Sequence, residues 1–263
     1  MARGLSADLE TDDKPSLLLM SVDALAFWMR NPLSFWIVAL PIASLAGIAT
    51  WVIDRDHDLD AWRDHWGWSF LFALIYAMFL DRWIKASLLD EATPCDEVDN
   101  LRRSIVSPRF LAYATALFGL AALLAPSHGG PQCGEVSIVL WAASACLFAL
   151  LLPSLSAAEP LSLSRAFVLG RPLQIHLFLL IAMAVAISVL SSIGLERLIG
   201  WLPPKPWHGA ALAAAGRIVD CLMLAWVGHV LATLFRSSTD WRQPEPDDHP
   251  FRNMKHAVRP PRG

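Results

Sequence analysis

The amino-acid sequence predicts an all-α integral membrane protein, a six-transmembrane-helix bundle with an N-terminal interfacial amphipathic helix. Of its 263 residues, 55% are hydrophobic and only 17% are charged, which is too few charges to cover a soluble surface. The apolar residues come in blocks that approach the ~20 residues needed to cross a bilayer. Lysine and arginine residues are also concentrated in the loops of one side.

Six apolar blocks predict the membrane-spanning helices. Backbone groups inside a bilayer must be hydrogen-bonded within their own segment, so each block is expected to be α-helical. Pro41 is expected to kink the first block, and the second is expected to continue past residue 80 as an amphipathic helix. The predicted spans are residues 32–53, 66–80, 110–125, 136–152, 172–195 and 213–235.

The segments that flank this 32–235 membrane domain differ from it in composition. Residues 16–31 carry apolar side chains around most of a helical circumference, with Asp23 and Arg30 as exceptions. They are expected to form a helix that lies on the cytoplasmic surface of the membrane. Residues 1–15 and 236–263 are polar and are expected to be disordered.

The charge distribution predicts the orientation. With six spans, 16 of the 21 lysine and arginine residues lie on the side of the termini, 4 lie on the other side, and Arg217 is left in or beside the sixth span. Cytoplasmic loops carry the excess of positive charge, so both termini are expected in the cytoplasm. We expect a multi-pass membrane protein.

The first outer loop is rich in possible metal ligands. Four of its aspartates alternate as in a calcium loop, but an EF-hand needs Gly and Glu where Leu59 and His65 stand. If the loop is helical, one face offers carboxylates and an imidazole for zinc or manganese. The alternative is an acidic, solvated loop that ends in a tryptophan anchor. The candidate ligands are Asp54, Asp56, His57, Asp58, Asp60, Asp64 and His65.

Arg217 and Asp220 are three residues apart, on one helical face next to or inside the sixth span. Ionisable groups at membrane depth are often functional, which predicts an intramembrane site. The alternative is a structural ion pair at the outer headgroup level. His229 lies deeper in the same helix, either as a hydrogen-bonded packing residue or as part of a solute path.

Basic residues precede the third and fifth predicted spans on the cytoplasmic side. Such clusters bind anionic lipid headgroups, and they also occur simply as the positive-inside signal. The candidate headgroup ligands are Arg102, Arg103, Arg109, Arg165 and Arg171.

Two cytoplasmic segments carry a resemblance to a known family. SAAEPLSLSRAFVLGRPLQIHLFLLIA (Ser156–Ala182) contains a short helix similar to the family pattern SLxxAFxLxxG before a leucine-rich span, except that Gly170 comes directly after the leucine and is followed by Arg171-Pro172. DRWIKASLLDEATP (Asp81–Pro94) follows the second span. With Asn31-Pro32, they make residues 20–195 resemble a broad bacterial inner-membrane family. That family includes the membrane domain attached to some glycerophosphodiester phosphodiesterases and many multi-span proteins without an assigned activity. The resemblance implies a membrane bundle in envelope or lipid upkeep, and it carries over no catalytic residues.

The function expected from these observations is non-enzymatic. The protein is expected to bind membrane lipids or partner membrane helices, in envelope homeostasis or as an accessory or assembly subunit of a larger membrane complex. A small-solute or metal-ion transporter that uses the acidic outer loop, Arg217, Asp220 and His229 is the first alternative, and a lipid-modifying membrane enzyme is the second. The sequence has no nucleotide, hydrolase or metalloprotease motif, so we expect no cofactor and no nucleic-acid partner.

Overall fold

The computed structural model describes residues 16–53, 66–89, 107–124, 145–146, 148–157, 159–201, 205–239 and 241. Within those residues the regular structure is entirely helical, as the predicted all-α class requires. A 3-10 turn, Arg171–Leu173, connects two of the helices. The α-helices are α1 (Leu17–Arg30), α2 (Pro32–Ile53), α3 (Trp66–Leu89), α4 (Pro108–Leu124), α5 (Leu151–Ser156), α6 (Leu163–Gly170), α7 (Gln174–Gly200) and α8 (His208–Thr239).

Helix α8 lies at the centre of the described fold, where it packs against α1, α2, α3, α5 and α7. One end of the bundle, which we call the α1 end, has a buried cluster drawn from α1, the second half of α3, the start of α4 and α7, and the last third of α8. At the opposite end, which we call the far end, the last turns of α2 meet the first turns of α8.

Helices α3 and α8 run parallel to each other. Tyr76 of α3 contacts Asp220 of α8, and eleven residues later Ser87 contacts His229. Gly228 lets the two helices approach closely, because a Cβ atom there would lie 2.9 Å from Leu80 Cδ1. The two helices are therefore side by side along much of their length.

The neighbours of this pair run in the opposite direction. Gly47, near the C-terminus of α2, packs against the start of α8. A Cβ atom at Gly47 would lie 3.2 Å from the carbonyl oxygen of Ala210. Near the N-terminus of α2, Phe35 packs edge-on against Trp83, 6.0 Å between ring centroids. Helix α4 is antiparallel to α3, since Phe118 packs on Tyr76 while Phe110 joins the cluster at the α1 end.

Helix α7 has the same direction as α2 and α4. Its first turns supply Leu177 and Leu180 to the cluster at the α1 end, together with Val230 and Phe235 of α8. Further along α7, Ser188 contacts Asp220, which lies ten residues before Val230 in α8. The two helices are therefore antiparallel.

Three helical segments of the described residues are long and apolar enough to cross a membrane: Pro32–Val52, Leu163–Gly200 and His208–Thr239. They contain the first, fifth and sixth predicted spans. The second predicted span lies within α3, and the third lies within α4 apart from residue 125, which is outside the described residues. Most of the fourth also falls outside them. Residues 1–15 also lie outside them. The last helix extends beyond the predicted 213–235 at both ends, so its final residues belong to the segment that was predicted to be disordered.

The second half of α3 is more buried than its amphipathic pattern predicts. Between Asp81 and Leu88 only Arg82 is exposed. This segment is enclosed because α4, α5 and α8 all pack against α3. Polar side chains of α3 therefore lie inside the bundle, where each requires a hydrogen-bond partner.

Candidate functional site

A hydrogen-bonded network is centred on the carboxylate of Asp220. The Tyr76 hydroxyl donates to its Oδ2 atom at 2.8 Å, and the Ser188 hydroxyl donates to its Oδ1 atom at 2.6 Å. Arg217 Nη1 donates to the same Oδ2 at 3.1 Å and to the Tyr76 oxygen at 3.0 Å. These four residues, which we call the Asp220 cluster, join α3, α7 and α8.

The cation of this cluster is also held by aromatic rings. The guanidinium carbon of Arg217 lies 4.5 Å from the ring centroid of Phe72 and 5.9 Å from that of Tyr76. The side chains of Arg217 and Asp220 are 37% and 28% exposed. One cation faces one carboxylate, and both carboxylate oxygens already accept protein donors. Oδ2 accepts two donors and Oδ1 accepts one.

The sequence identifies only half of the Asp220 cluster. The spacing of three residues between Arg217 and Asp220 is visible along one helix, whereas Tyr76 and Ser188 lie 144 and 32 residues from Asp220. No local pattern connects them. The available signal is that Tyr76 is one of just two tyrosines in the chain and lies inside an apolar block, where its hydroxyl needs a partner.

A second network surrounds His229. Its Nδ1 atom lies 3.1 Å from Ser87 Oγ, and its Nε2 atom lies 3.1 Å from Asp23 Oδ2. The Phe27 ring covers the imidazole, 4.7 Å between centroids, and Arg30 approaches Asp23 at 3.8 Å. With a neutral imidazole, Nε2–H donates to Asp23 and Nδ1 accepts from Ser87, which satisfies both ring nitrogens. This network attaches α1 to α3 and α8.

The order serine, histidine, aspartate is that of a hydrolase triad, in which the carboxylate orients an imidazole that activates the hydroxyl. Ser87, however, is only 1% exposed. A nucleophile must be open to its substrate, and this hydroxyl is enclosed by the bundle. In the structure His229 is hydrogen-bonded to both Ser87 and Asp23 and thereby joins α1 to α3 and α8.

Replacing Asp23 by alanine is expected to loosen α1. The variant removes the carboxylate that His229 Nε2 contacts at 3.1 Å. Because Asp23 is 55% exposed, the loss should be that of an ordinary hydrogen bond, about 1 kcal/mol. Amide hydrogen exchange of residues 17–30 in detergent micelles should then be about fivefold faster, since local opening follows the local free energy.

Ser21→Ala is the matched control for this prediction. The Ser21 hydroxyl donates to Leu17 O at 2.8 Å, a bond that lies within α1. In Ser21→Ala, the amide hydrogen exchange rates of residues 17–30 should stay near those of the wild type. Equal exchange in the Asp23→Ala variant and the wild type would show that the His229 contact does not hold α1.

A third network lies where α3 meets α5. Lys85 Nζ donates to Asp81 Oδ2 at 2.6 Å, and the Ser156 hydroxyl donates to Asp81 Oδ1 at 2.7 Å. Asp81 is fully buried, and Lys85 and Ser156 are 9% and 7% exposed. The sequence did not single out these residues as a site, although the apolar neighbours of Asp81 and Lys85 predict that the two charges need partners.

The other residues singled out by the sequence are placed as follows. Arg109, Arg165 and Arg171 are exposed, and Arg102 and Arg103 lie outside the described residues, so headgroup binding stays a prediction. The seven candidate metal ligands of the first outer loop, Asp54 to His65, also lie outside them. In the part of the chain that the structure describes, no group of three histidine, cysteine, aspartate or glutamate residues is placed to hold a metal ion.

Comparison with known proteins adds no relative. No protein-family model, curated protein or solved structure matches the chain. The resemblance of residues 20–195 to the bacterial inner-membrane family stays a prediction, and the function has to be inferred from the networks and surfaces described above.

Proposed function

We propose that the chain is a non-enzymatic protein of the bacterial inner membrane, with six spans and both termini in the cytoplasm, that binds membrane lipids or partner membrane helices. It would act in envelope homeostasis or as an accessory or assembly subunit of a larger membrane complex. The observation that carries this proposal is the large exposed apolar surface on the outer face of α7.

Helix α7 presents an apolar surface that the described fold leaves open. In the most apolar 18-residue stretch of Leu163–Gly200, only 17% of the residues are buried. In the corresponding stretch of His208–Thr239, 50% are buried. The buried residues of α7, Leu177, Leu180 and Ala184, form one stripe that packs towards α8. The exposed large apolar residues of the helix are Ile175, Phe178, Leu179, Met183, Val185, Ile187, Val189, Leu190, Ile193 and Leu198. Its exposed polar residues, His176, Glu196 and Arg197, lie near its two ends, and every exposed residue between Phe178 and Ile193 is apolar.

A surface of this kind is unfavourable in water and favourable in hydrocarbon. Contiguous exposed apolar patches above a few hundred Å² mark membrane or protein contacts. A face without a polar group is solvated by lipid chains, and a helix from another subunit packs on it by van der Waals contact. The proposal includes both lipid and a partner helix on this face. Identifying the lipids and proteins that co-purify with the chain distinguishes the two.

The helix directions support six spans. Helices α2, α4 and α7 run from the α1 end to the far end, and α3 and α8 run back. Helix α4 leaves the α1 end and α7 starts there, so the chain between Leu124 and Gln174 has to return. We propose that the predicted fourth span, residues 136–152, makes that return; two of its last residues, Leu150 and Leu152, belong to the cluster at the α1 end.

The polar networks favour a structural role over a transport path. Asp220 and His229 are nine residues apart on α8, which is about 13–14 Å along a helix axis. Asp220 bonds to α3 and α7, whereas His229 bonds to α3 and α1. Hydrogen-bonded side-chain networks between helices help to specify how the helices pack.

Native purification of the wild type and of Asp220→Asn, with mass spectrometry of the bound lipids and proteins, tests the proposal. We expect both proteins to carry the same lipids or partners. The variant should be less stable by about 1–3 kcal/mol, because Arg217 and Tyr76 lose a charged acceptor. Ser188→Ala, which removes one donor to the same carboxylate and keeps the charge, is the matched control and should lose less.

Two outcomes would contradict the proposal. A metal or solute flux into proteoliposomes that Asp220→Asn abolishes and Ser188→Ala retains would establish the transporter alternative. Recovery of the protein in the aqueous fraction after lysis without detergent would remove the membrane premise.

A further inference from the structure

Helix α1 has two apolar faces, and the bundle covers only one of them. Met20, Ala24 and Phe27 are buried. On the opposite side, residues at i, i+4, i+7 and i+11 form a second stripe, which is 58–75% exposed. This outer stripe consists of Leu18, Val22, Leu25 and Met29.

The short helix α6 repeats this arrangement. Ala166 and Gly170 are buried, whereas Leu163, Phe167 and Val168 are 66%, 41% and 66% exposed. Each of the two helices therefore packs on the bundle with one side and presents large apolar side chains on another.

Both helices lie directly beside a membrane-crossing segment. Only Asn31 separates α1 from α2, and only the turn Arg171–Leu173 separates α6 from α7. Residues packed on the cluster at the α1 end include Leu17 of α1 and Leu169 of α6. The two exposed apolar stripes are therefore at the same end of the bundle, where α2 and α7 would enter the bilayer.

Arginine side chains accompany these stripes. The Arg30 side chain at the end of α1 is 58% exposed, and Arg165 and Arg171 of α6 and the following turn are exposed as well. Asp23, the acidic residue of α1, is already hydrogen-bonded to His229 and lies 3.8 Å from Arg30. Beyond the pair of Arg30 and Asp23, the exposed charges beside α6 are Arg165, Arg171 and Glu159. Positive charge is in excess by one, which is complementary to an anionic surface.

We propose that α1 and α6 lie in the plane of the cytoplasmic leaflet and together bind anionic phospholipid headgroups through Arg30, Arg165 and Arg171. The inference rests on the proposed function, whose lipid ligand it specifies by class and by place. Apolar side chains insert below the headgroups while the arginines pair with lipid phosphates, as in other in-plane amphipathic helices. The attraction grows with the charge of the leaflet and weakens with salt.

The depth of the stripes is tested with nitroxide labels on full-length protein in nanodiscs of phosphatidylglycerol and phosphatidylcholine. Single cysteines replace Val22 and Val168 in a background without Cys95, Cys133, Cys146 and Cys221. A label at Leu190, on the outer face of α7, is the standard for lipid exposure. A label at Lys205, in the exposed segment before α8, is the standard for water exposure.

We expect the labels at Val22 and Val168 to collide with oxygen more than with an aqueous nickel complex, as the label at Leu190 does. If they match Lys205 while Leu190 reports lipid, the inference is wrong and the proposed function stands. If Leu190 also reports water, the proposed function itself has failed. Protection from both reagents would mean that a protein covers the stripes, which also overturns the inference.

The lipid class is tested by native mass spectrometry with phosphatidylglycerol and phosphatidylcholine in competition. An arginine at a charged surface contributes about fivefold in affinity, so the wild type should prefer phosphatidylglycerol by at least about tenfold. Arg30→Gln, Arg165→Gln and Arg171→Gln together should bring the ratio to within about twofold of unity. Arg197→Gln with Lys205→Gln, at the far end, should leave the preference unchanged.

Two results would overturn this assignment: equal binding of both lipids by the wild type, or an equal loss in the far-end control. Circular dichroism and size-exclusion chromatography check that the triple variant folds. If it does not fold, the single variant Arg165→Gln, whose side chain is exposed, should reduce the preference by about fivefold. An undiminished preference in that variant would equally contradict the assignment.

Discussion

The variant Asp81→Leu is expected to lose about 3–5 kcal/mol of its free energy of unfolding, which is the typical cost of removing one partner of a buried ion pair. Asp81 is fully buried and accepts from Lys85 Nζ at 2.6 Å and from Ser156 at 2.7 Å. The leucine removes the Asp81 carboxylate from the buried side chain of Lys85, 9% exposed, and removes the acceptor of the Ser156 hydroxyl. Unfolding in mixed micelles with increasing dodecyl sulfate measures the change.

Arg82→Ala is the matched control, because it removes a charge from the adjacent position of α3 where the side chain is exposed. Its effect should stay within about 0.5 kcal/mol. The double variant Asp81→Leu with Lys85→Met should regain most of the loss, since a buried pair replaced by apolar groups is often neutral. A loss below about 1 kcal/mol for Asp81→Leu alone would mean that this pair is solvated.

The variant Gly228→Val is expected to have the second largest effect. Even a single Cβ atom at this position would lie 2.9 Å from Leu80 Cδ1, 3.4 Å from Ile84 Cγ1 and 3.5 Å from Trp83 Cδ1. Valine adds two further methyl groups, and both Ile84 and Trp83 are at most 3% exposed, so they have little space to move into. Overpacking of this kind costs about 1–3 kcal/mol and separates α8 from α3.

Gly216→Val is the matched control, because Gly216 lies on the same helix as Gly228 and a Cβ atom there would meet no heavy atom of a neighbouring element within 4 Å. That control should be close to neutral, since replacing a helical glycine relieves a backbone cost of up to about 1 kcal/mol. The two variants should therefore differ by about 2 kcal/mol or more in the same unfolding assay. Equal stabilities would show that α3 and α8 do not approach as closely as described.

The helices of this fold are predictable from sequence because continuous apolar length is a local property. The first, fifth and sixth predicted spans correspond to the three segments that are apolar enough to cross a membrane. The sequence predicts that the sixth span starts at residue 213, because the alanine-rich stretch around it favours a helix but contributes little hydrophobicity. The helix in fact begins at His208.

The polar networks are much less predictable, because their partners come from distant parts of the chain. Sequence spacing suggested the pair Arg217 and Asp220, yet it contained no sign that Ser188 completes that cluster. Likewise, Ser87 and His229 are 142 residues apart and meet only because α3 and α8 pack in parallel. Which hydroxyl faces which carboxylate is decided by tertiary packing, and no periodicity along one helix contains that information.

The central position of α8 has a consequence for biosynthesis. This helix contacts α1, α2, α3, α5 and α7, yet it is the last helix of the described chain to leave the ribosome. At about 5–20 residues per second, α2 waits on the order of 10–40 seconds for residue 239 to be made. Until then the faces of α2, α3 and α7 that α8 will cover must be sheltered by lipid, by one another or by the insertion machinery.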